Sequence, residues 1–235
     1  MPLKLYLYNE GFVRLCSEKY DYNHLNNSFS FITNIALNMR NKKHYKYPQN
    51  LTKIEDGNLW NLDTYQNYCE KNGLNYTKIY EIVKDIFIKM VFTIRKKTIE
   101  DINYNKLHSS NFYHLIGFDI ILDENLKPYL LEANRQCSFR DNNDAEKYYI
   151  YNIMADTLNL VGLRIINKQN NTIYNDISND YFYTEIIEDS LCELERPRGG
   201  YNLIFPLKSN IEKYKKYYLD DIPKEDEELW KRLKE

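Results

Sequence analysis

Residues 111–139 read NFYHLIGFDIILDENLKPYLLEANRQCSF, and this stretch predicts two short strands joined by a polar turn. The first strand is apolar apart from Asp119, and the second is apolar apart from Glu132. The link between them, DENLKP, contains Asp and Asn, which start turns, and Pro, which fixes φ and cannot donate to a β-ladder. The pattern therefore predicts an antiparallel β-hairpin.

The register of this hairpin decides what its acidic residues do. If Leu122 lies opposite Tyr129, then Asp119 lies opposite Glu132, and carboxylates placed that way repel because their Cβ atoms are about 5 Å apart. A hard divalent cation with oxygen ligands, Mg²⁺ above all, would offset the repulsion. The alternative is a loose hairpin edge on which both acids are solvated. Alternation along the second strand predicts one shared face for Leu130, Glu132 and Asn134.

Composition and charge narrow the class of protein. The chain has 235 residues, of which 43% are hydrophobic, and this predicts one large or two small globular domains. A formal net charge of −2 gives no field that favours nucleic acid or an anionic membrane. No apolar run reaches the ~18 residues of a membrane helix, and the N-terminus lacks a signal-peptide pattern. We therefore predict a soluble cytoplasmic protein without nucleic-acid or membrane partners.

The four cysteines lie far apart in the sequence. Their spacing matches neither a zinc site nor a disulfide framework, so we expect reduced thiols.

The N-terminal residues 3–16 predict a second hairpin, in which LKLYLY and FVRLC flank a short link. Gly11 in that link suits a position with positive φ. Arg14 is the only charged residue of the second strand. It is either an edge residue with its head in water or a planar guanidinium aimed at phosphate or carboxylate oxygens.

Residues 29–37, FSFITNIAL, predict a strand or a short buried segment. Two polar residues, Thr33 and Asn34, interrupt this apolar run. They could serve a ligand, or they could support a turn or a helix cap through local side-chain bonds.

Two helices follow from the spacing of apolar residues. The clearest begins near Lys78, with Thr77 as its N-cap and the basic residues 95–97 in its last turn. The second spans residues 142–163, and Gly162 falls where a helix should stop.

The C-terminal part of the chain begins with an Asn-rich stretch, residues 167–180, which predicts a boundary or flexible linker. Residues 193–206, ELERPRGGYNLIFP, predict an ordered but irregular segment because they combine Arg, Gly and Pro. Residues 210–235 predict a charged helix.

Taken in order, these segments resemble the tubulin–tyrosine ligase-like ligases, a branch of the ATP-grasp superfamily. The hairpin match is highly specific, whereas FITN or Arg14 alone would be weak. The matching segments are PLKLYLYNEGFVRLCSEKY (2–20), FITN (31–34), LIGFDIILDENLKPYLLEAN (115–134), DAEKYYIYNIMADTLNLVGL (144–163) and ELERPRGGYNLIFP (193–206).

The resemblance implies an α+β fold, namely the C-terminal portion of an ATP-grasp fold. An antiparallel sheet with a metal-binding hairpin would pack against helices. Residues 1–166 would be the C-terminal part of the catalytic domain, and residues 167–235 would be a linker and C-terminal extension.

The resemblance also implies a reaction. Enzymes of this group use ATP to phosphorylate a carboxylate, and the amino group of an amino acid then displaces the phosphate to form an amide. Arg14 matches a family residue thought to face the phosphate or acyl-phosphate end, Thr33 matches a family position that lines the nucleotide, and Asn34 lies beside it. Catalytic roles are implied for Arg14 and Glu132. Mg²⁺ would bridge the ATP phosphates, and its implied ligands are Asp119, Glu132 and Asn134.

The implied partners are tubulin, through its acidic C-terminal tail, and a free amino acid such as glutamate, at microtubules in the cytoplasm. Phe31 stands where the family has His, and Met39 stands where Lys is usual. The match leaves out the family's preceding lobe with its nucleotide-binding lysines, so we expect a truncated member that is a poor catalyst by itself. A non-catalytic remnant that binds tubulin or another partner is one alternative, and a ligase with a non-tubulin substrate is another.

Overall fold

A computed structural model describes residues 2–24, 26–48, 57–104, 113–135, 137, 139, 144–162, 179–218 and 221–233. These residues form a mixed α+β structure, as predicted. The strands are β1 Leu5–Tyr8, β2 Phe12–Arg14, β3 Leu59–Asn61, β4 Gly117–Leu122, β5 Pro128–Asn134 and β6 Tyr201–Phe205. The helices are α1 Ile35–Asn38, α2 Leu62–Lys71, α3 Tyr76–Tyr104, α4 Asp144–Val161, α5 Asn179–Glu195, α6 Ile211–Lys215 and α7 Lys224–Arg232.

The chain forms two compact units. The larger unit contains residues 1–7, 79–138 and 154–235, and the smaller unit contains residues 8–78 and 139–153. The predicted domain boundary between residues 166 and 167 lies outside the described residues. Within the described ranges, no helix has the length and apolar sequence needed to cross a membrane.

The predicted N-terminal hairpin is wrong. β1 pairs with β6, and β2 pairs with β3 in an antiparallel register that places Phe12 opposite Asn61. The link between β1 and β2 is therefore not a tight hairpin turn, and Gly11 does not have the positive φ expected of it. Instead, the Gly11 carbonyl accepts a hydrogen bond from the Leu62 amide at 3.1 Å, where α2 begins.

The core of the larger unit is rich in aromatic rings. Phe205 of β6 is fully buried, and its ring meets those of Phe92 and Trp230 edge-on at centroid distances of 5.4 and 6.2 Å. The amphipathic spacing of α3 turns one face of that helix towards this cluster. The core residues are Leu5, Leu7, Phe87, Ile88, Val91, Phe92, Ile204, Phe205, Ile211, Tyr214 and Trp230.

Helix α3 begins and ends at places other than those predicted. Asn75, not Thr77, caps its N-terminus, since the Asn75 side chain accepts a hydrogen bond from the Lys78 amide at 2.9 Å. The helix also continues past the basic residues to Tyr104. Arg95 therefore lies inside the helix and not in its last turn, so the helix dipole contributes little electrostatic stabilisation to its charge.

Arg95 is held instead by a buried carboxylate. It forms an ion pair with Asp226 of α7, whose side chain is fully buried. The Leu3 amide donates to the same carboxylate at 2.7 Å. Burial raises the pKa of Asp226, and the nearby Arg95 charge opposes that rise. The pair links α3, α7 and the N-terminal segment within the larger unit.

Helix α4 matches its prediction closely. It spans Asp144–Val161, and Gly162 ends it with φ of 63°. The Arg196 guanidinium then donates to the carbonyls of Leu160 and Val161 at 3.1 and 2.8 Å, so it satisfies two helix C-terminal carbonyls that lack intrahelical partners.

The ERPRGG segment ends α5 and leads into β6, so it is more regular than predicted. Asp156 of α4 accepts a hydrogen bond from the Gly200 amide at 2.9 Å, and Thr157 bonds the Tyr201 hydroxyl at 2.7 Å. Gly199 has φ of 52°, and a Cβ atom there would lie 2.0 Å from the Asp156 Cγ. The diglycine therefore lets the backbone turn directly against a carboxylate.

This contact predicts that Gly199→Ala destabilises the chain. We expect a loss of about 3 kcal/mol in the free energy of unfolding, since strain at positive φ adds to overpacking against Asp156. Gly73→Ala is the matched control, because Gly73 has φ of 68° but open space around its Cα. That variant should lose only about 1 kcal/mol. Urea unfolding followed by circular dichroism measures both, and equal losses would contradict the steric role of Asp156.

Candidate functional site

Strands β4 and β5 form the predicted antiparallel hairpin, and Asp119 lies opposite Glu132 as predicted. The predicted pairing of Leu122 with Tyr129 is wrong, because Leu122 lies opposite Pro128. The two ends of the hairpin therefore follow registers that differ by one residue.

A β-bulge at Leu131 accounts for this difference. Ile120 pairs with Leu130 and Asp119 pairs with Glu132, so Leu131 has no opposite residue, and it is 62% exposed. Neighbouring residues of β4 alternate between faces. Leu130 therefore lies on the face opposite to Glu132, which corrects the predicted shared face. Bulges of this kind re-aim side chains and are common beside active sites.

The turn of the hairpin is fixed by its first residue. The Asp123 carboxylate accepts hydrogen bonds from the amides of Asn125 and Lys127 at 2.8 and 2.9 Å. The bond from the Lys127 amide is the largest of the effects that lower the pKa of Asp123. Leu126 adopts φ of 61°, an uncommon conformation for a non-glycine residue, within this bonded loop.

The two faces of the hairpin have different surroundings. Phe118 stacks on Phe87 of α3 with ring centroids 4.9 Å apart. On the other face, Ile121 and Tyr129 pair with each other and are 44% and 43% exposed. Asp119 shares this second face, because it is two residues from Ile121. The acidic pair therefore belongs to the open face.

Asn134 completes a group of three oxygen-bearing side chains on that face. It lies opposite Gly117, which shares the face of Asp119. The Asn134 amide nitrogen donates to Glu132 Oε1 at 3.1 Å. The structure therefore brings together the three predicted metal ligands, Asp119, Glu132 and Asn134.

The chemistry of this donor set suits a hard cation. Two carboxylates and an amide oxygen are ligands that Mg²⁺ accepts, and Mg²⁺ usually keeps several waters beside one or two carboxylates. Across the described ranges, no three His, Cys, Asp or Glu side chains form a metal-binding group. The candidate site therefore rests on two acids and one amide.

The segments on either side of the hairpin are bonded to each other. The His114 ring donates to the Arg135 carbonyl at 2.9 Å, and the Cys137 thiol lies 3.6 Å from the Leu115 carbonyl. Burial raises the pKa of the Cys137 thiol. These contacts hold the chain just beyond Asn134 next to the start of β4.

Three further predicted site residues, Arg14, Thr33 and Asn34, lie in the smaller unit. Asn34 caps α1, since its side chain accepts from the Leu37 amide at 3.0 Å. The cap is one of the two roles that the sequence left open for it. Thr33 is exposed beside it. The prediction of a strand or a short buried segment at residues 29–37 is wrong. All of these residues are described, they contain a 3₁₀ turn and α1, and only Ser30 among them is buried.

Asn38 organises this loop, and it was not among the predicted site residues. It is fully buried, and its side chain accepts from the Ser17 amide at 2.8 Å. Its amide group also donates to the carbonyls of Ile32 and Asn34 at 2.6 and 2.9 Å. The available signal was a polar residue on the buried side of an apolar run, which must find partners inside the fold.

Arg14 lies at the end of β2, opposite Leu59, and it is exposed. The Leu15 amide next to it donates to the Asn58 carbonyl at 2.8 Å, which continues the contact between this strand and the start of β3.

Comparison with known proteins points to a single family. The sequence model of the tubulin-tyrosine ligase family matches residues 1–173. Tubulin monoglutamylase TTLL4 of Mus musculus is 32% identical over 171 residues, which cover 72% of this chain and 14% of the relative. The probable beta-tubulin polyglutamylase of Tetrahymena thermophila is 26% identical over 247 residues, with 93% and 20% covered. Tubulin polyglutamylase TTLL6 of Homo sapiens is 27% identical over 243 residues, with 94% and 26% covered.

The chain is much shorter than these proteins. It spans 14% to 26% of the length of the three curated relatives.

The acidic face predicts a specific response to magnesium. We expect MgCl₂ to raise the melting temperature of the wild-type chain, because a bound cation offsets the repulsion between Asp119 and Glu132. Asp119→Asn should lose most of the Mg²⁺ response. Glu124→Gln, an exposed residue in the turn of the same hairpin, is the control and should keep the response. Equal responses in all three chains, measured by thermal unfolding, would contradict a metal site here.

Proposed function

The chain belongs to the tubulin-tyrosine ligase family, and we propose that it is the part of an ATP-dependent ligase that binds the metal and attaches glutamate to tubulin. The names of its relatives, a tubulin monoglutamylase and two tubulin polyglutamylases, support this reaction and this substrate. The observation that supports the proposal most strongly is the pairing of Asp119 with Glu132 on the open face of a bulged hairpin. With tubulin as the substrate, the proposed reaction would take place at microtubules in the cytoplasm.

The proposed reaction has two steps. A carboxylate oxygen of tubulin first attacks the γ-phosphorus of ATP, so that an O–P bond forms, ADP leaves and an acyl phosphate results. The amino nitrogen of glutamate then attacks the acyl carbon and loses its proton. A C–N bond forms, the C–O bond breaks, and inorganic phosphate leaves. Positioning and electrostatic stabilisation provide most of the catalysis in phosphoryl transfer.

The acidic residues of the hairpin have a defined task in this proposal. Asp119, Glu132 and Asn134 would hold Mg²⁺, which offsets negative charge on the ATP phosphates. Glu132 is the central member, because it lies opposite Asp119 and accepts a hydrogen bond from Asn134. Its position depends on the bulge at Leu131, which directs it to the same face as its partner.

The residues of the smaller unit have a proposed role in binding substrate oxyanions and nucleotide. A guanidinium such as that of Arg14 can bind phosphoryl or carboxylate oxygens through two parallel hydrogen bonds. Thr33 and Asn34 are proposed as nucleotide contacts because they match the family pattern. Asn34 also caps α1, so replacing it would disturb the loop as well as any ligand contact.

Titration of Mg·ATP tests the assignment. We expect the wild-type chain to bind Mg·ATP, and Glu132→Gln to weaken binding about tenfold or more through the loss of a charged ligand. Glu124→Gln is again the control. Isothermal titration calorimetry gives the affinities, and EDTA should reduce the wild-type affinity to that of Glu132→Gln. Equal binding by wild type and Glu132→Gln would count against the assigned site.

A transfer assay separates an enzyme from a binding module. The same chain is incubated with ATP, radiolabelled glutamate and tubulin, and incorporation is measured. Co-sedimentation with microtubules but no incorporation would favour a non-catalytic tubulin-binding protein over a ligase.

A further inference from the structure

Asn58 fastens a short segment of the smaller unit to the end of β2. Its backbone and side chain form two hydrogen bonds with Lys46, at 3.0 and 2.9 Å, and its carbonyl accepts from the Leu15 amide at 2.8 Å. The approach is so close that a Cβ atom on Gly57 would lie 2.4 Å from the Lys46 carbonyl oxygen. Residues 45–47 are therefore fixed beside the strand that ends at Arg14.

Two tyrosines flank Lys46 in this segment, and only one of their hydroxyls has a hydrogen-bond partner among the described residues. The rings of Tyr45 and Tyr47 lie 6.4 Å apart. The Tyr47 hydroxyl donates to Glu146, a carboxylate that is only 6% exposed. The Tyr45 hydroxyl is also shielded from solvent, but it has no hydrogen-bond partner among the described residues. Tyr47 therefore supports the fold, whereas the Tyr45 hydroxyl is a donor without an acceptor among the described residues.

A buried hydroxyl without a partner is costly and needs an explanation. Leaving such a group unsatisfied costs about 1–3 kcal/mol, because water no longer bonds it. A phenylalanine would fill the same space without that cost. The hydroxyl of Tyr45 therefore makes physical sense if a ligand supplies the missing acceptor.

The charges around Tyr45 favour a neutral donor. Burial raises the pKa of Tyr45, repulsion by Glu146 raises it further, and the positive charge of Arg14 opposes the rise. The phenol therefore keeps its proton at neutral pH. Arg14 acts on Tyr45 electrostatically, in agreement with the backbone contacts that place the two residues on adjoining segments.

We propose that Tyr45 is a substrate-binding residue that acts together with Arg14, its hydroxyl donating to an oxyanion that the guanidinium also binds. The oxyanion is a phosphoryl group or a carboxylate, since both present the same acceptor oxygens. That this oxyanion belongs to a substrate of ligation rests on the function proposed above. Tyr47 and Glu146 position the segment and do not contact the ligand.

Thermal unfolding of the full chain tests the proposal with two matched variants. Without added ligand, Tyr45→Phe should melt at the wild-type temperature or above it, because it removes an unsatisfied group. Tyr47→Phe should melt lower, because Glu146 loses a donor. Inorganic phosphate and glutamate are then titrated separately at constant ionic strength. Either phosphate or glutamate should raise the wild-type melting temperature, and Tyr45→Phe should show an affinity for that anion about tenfold lower.

The outcomes are distinct. A response to phosphate alone identifies a phosphoryl site, and a response to glutamate alone identifies a carboxylate site. The proposal is overturned if Tyr45→Phe destabilises the ligand-free chain, if both chains respond equally, or if neither anion affects the wild type. A chain that lacks glutamate transfer but keeps the Tyr45-dependent response would refute the ligase function and leave the binding residue in place.

Discussion

The pairing of Asp119 with Glu132 across the hairpin is the constraint on which the candidate site depends. Their strands pair in a register that places the two carboxylates opposite each other, and like charges in that position repel. Leu131 makes the arrangement possible, because the extra residue turns Glu132 towards the face of Asp119. A cation bound here, as proposed above, would turn the two acids into a ligand set. On the opposite face, stacking of Phe118 on Phe87 of α3 holds the hairpin against the helix.

Features that depend on nearby residues were predictable from the sequence. Alternating polarity and turn residues identified the hairpin, and its acidic pair was correctly opposed. Apolar spacing identified α3 and α4, and Gly162 marked the end of α4 because a left-handed conformation favours glycine. Each of these signals lies within a few residues of the structure that it specifies, so no knowledge of the tertiary fold is required.

Features that depend on distant partners were not predictable. β1 and β2 looked like a hairpin, yet their partners, β6 and β3, lie far away in the sequence. The bulge could not be located because strand polarity alone does not reveal an extra residue. Asn58 and Tyr45 gave no local signal either, and Asn38 gave only that of a polar residue in an apolar run. Asn38 and Asn58 owe their roles to hydrogen bonds with distant residues of the smaller unit. Tyr45 owes its role to a buried hydroxyl that has no hydrogen-bond partner among the described residues.

The close packing of Asp156 against the Gly199–Gly200 turn affects how the diglycine should be interpreted in divergent related sequences. The diglycine is explained by close packing alone, so a descendant that had lost all chemistry would still need it to fold. The diglycine in a sequence therefore indicates that the fold is retained and gives no information about activity. Glu132 is different, because it is exposed, lies opposite another carboxylate, and accepts a hydrogen bond from Asn134 that a glutamine could also accept. An acid kept at this position in related sequences would therefore bear on the proposed metal site, on which the diglycine has no bearing.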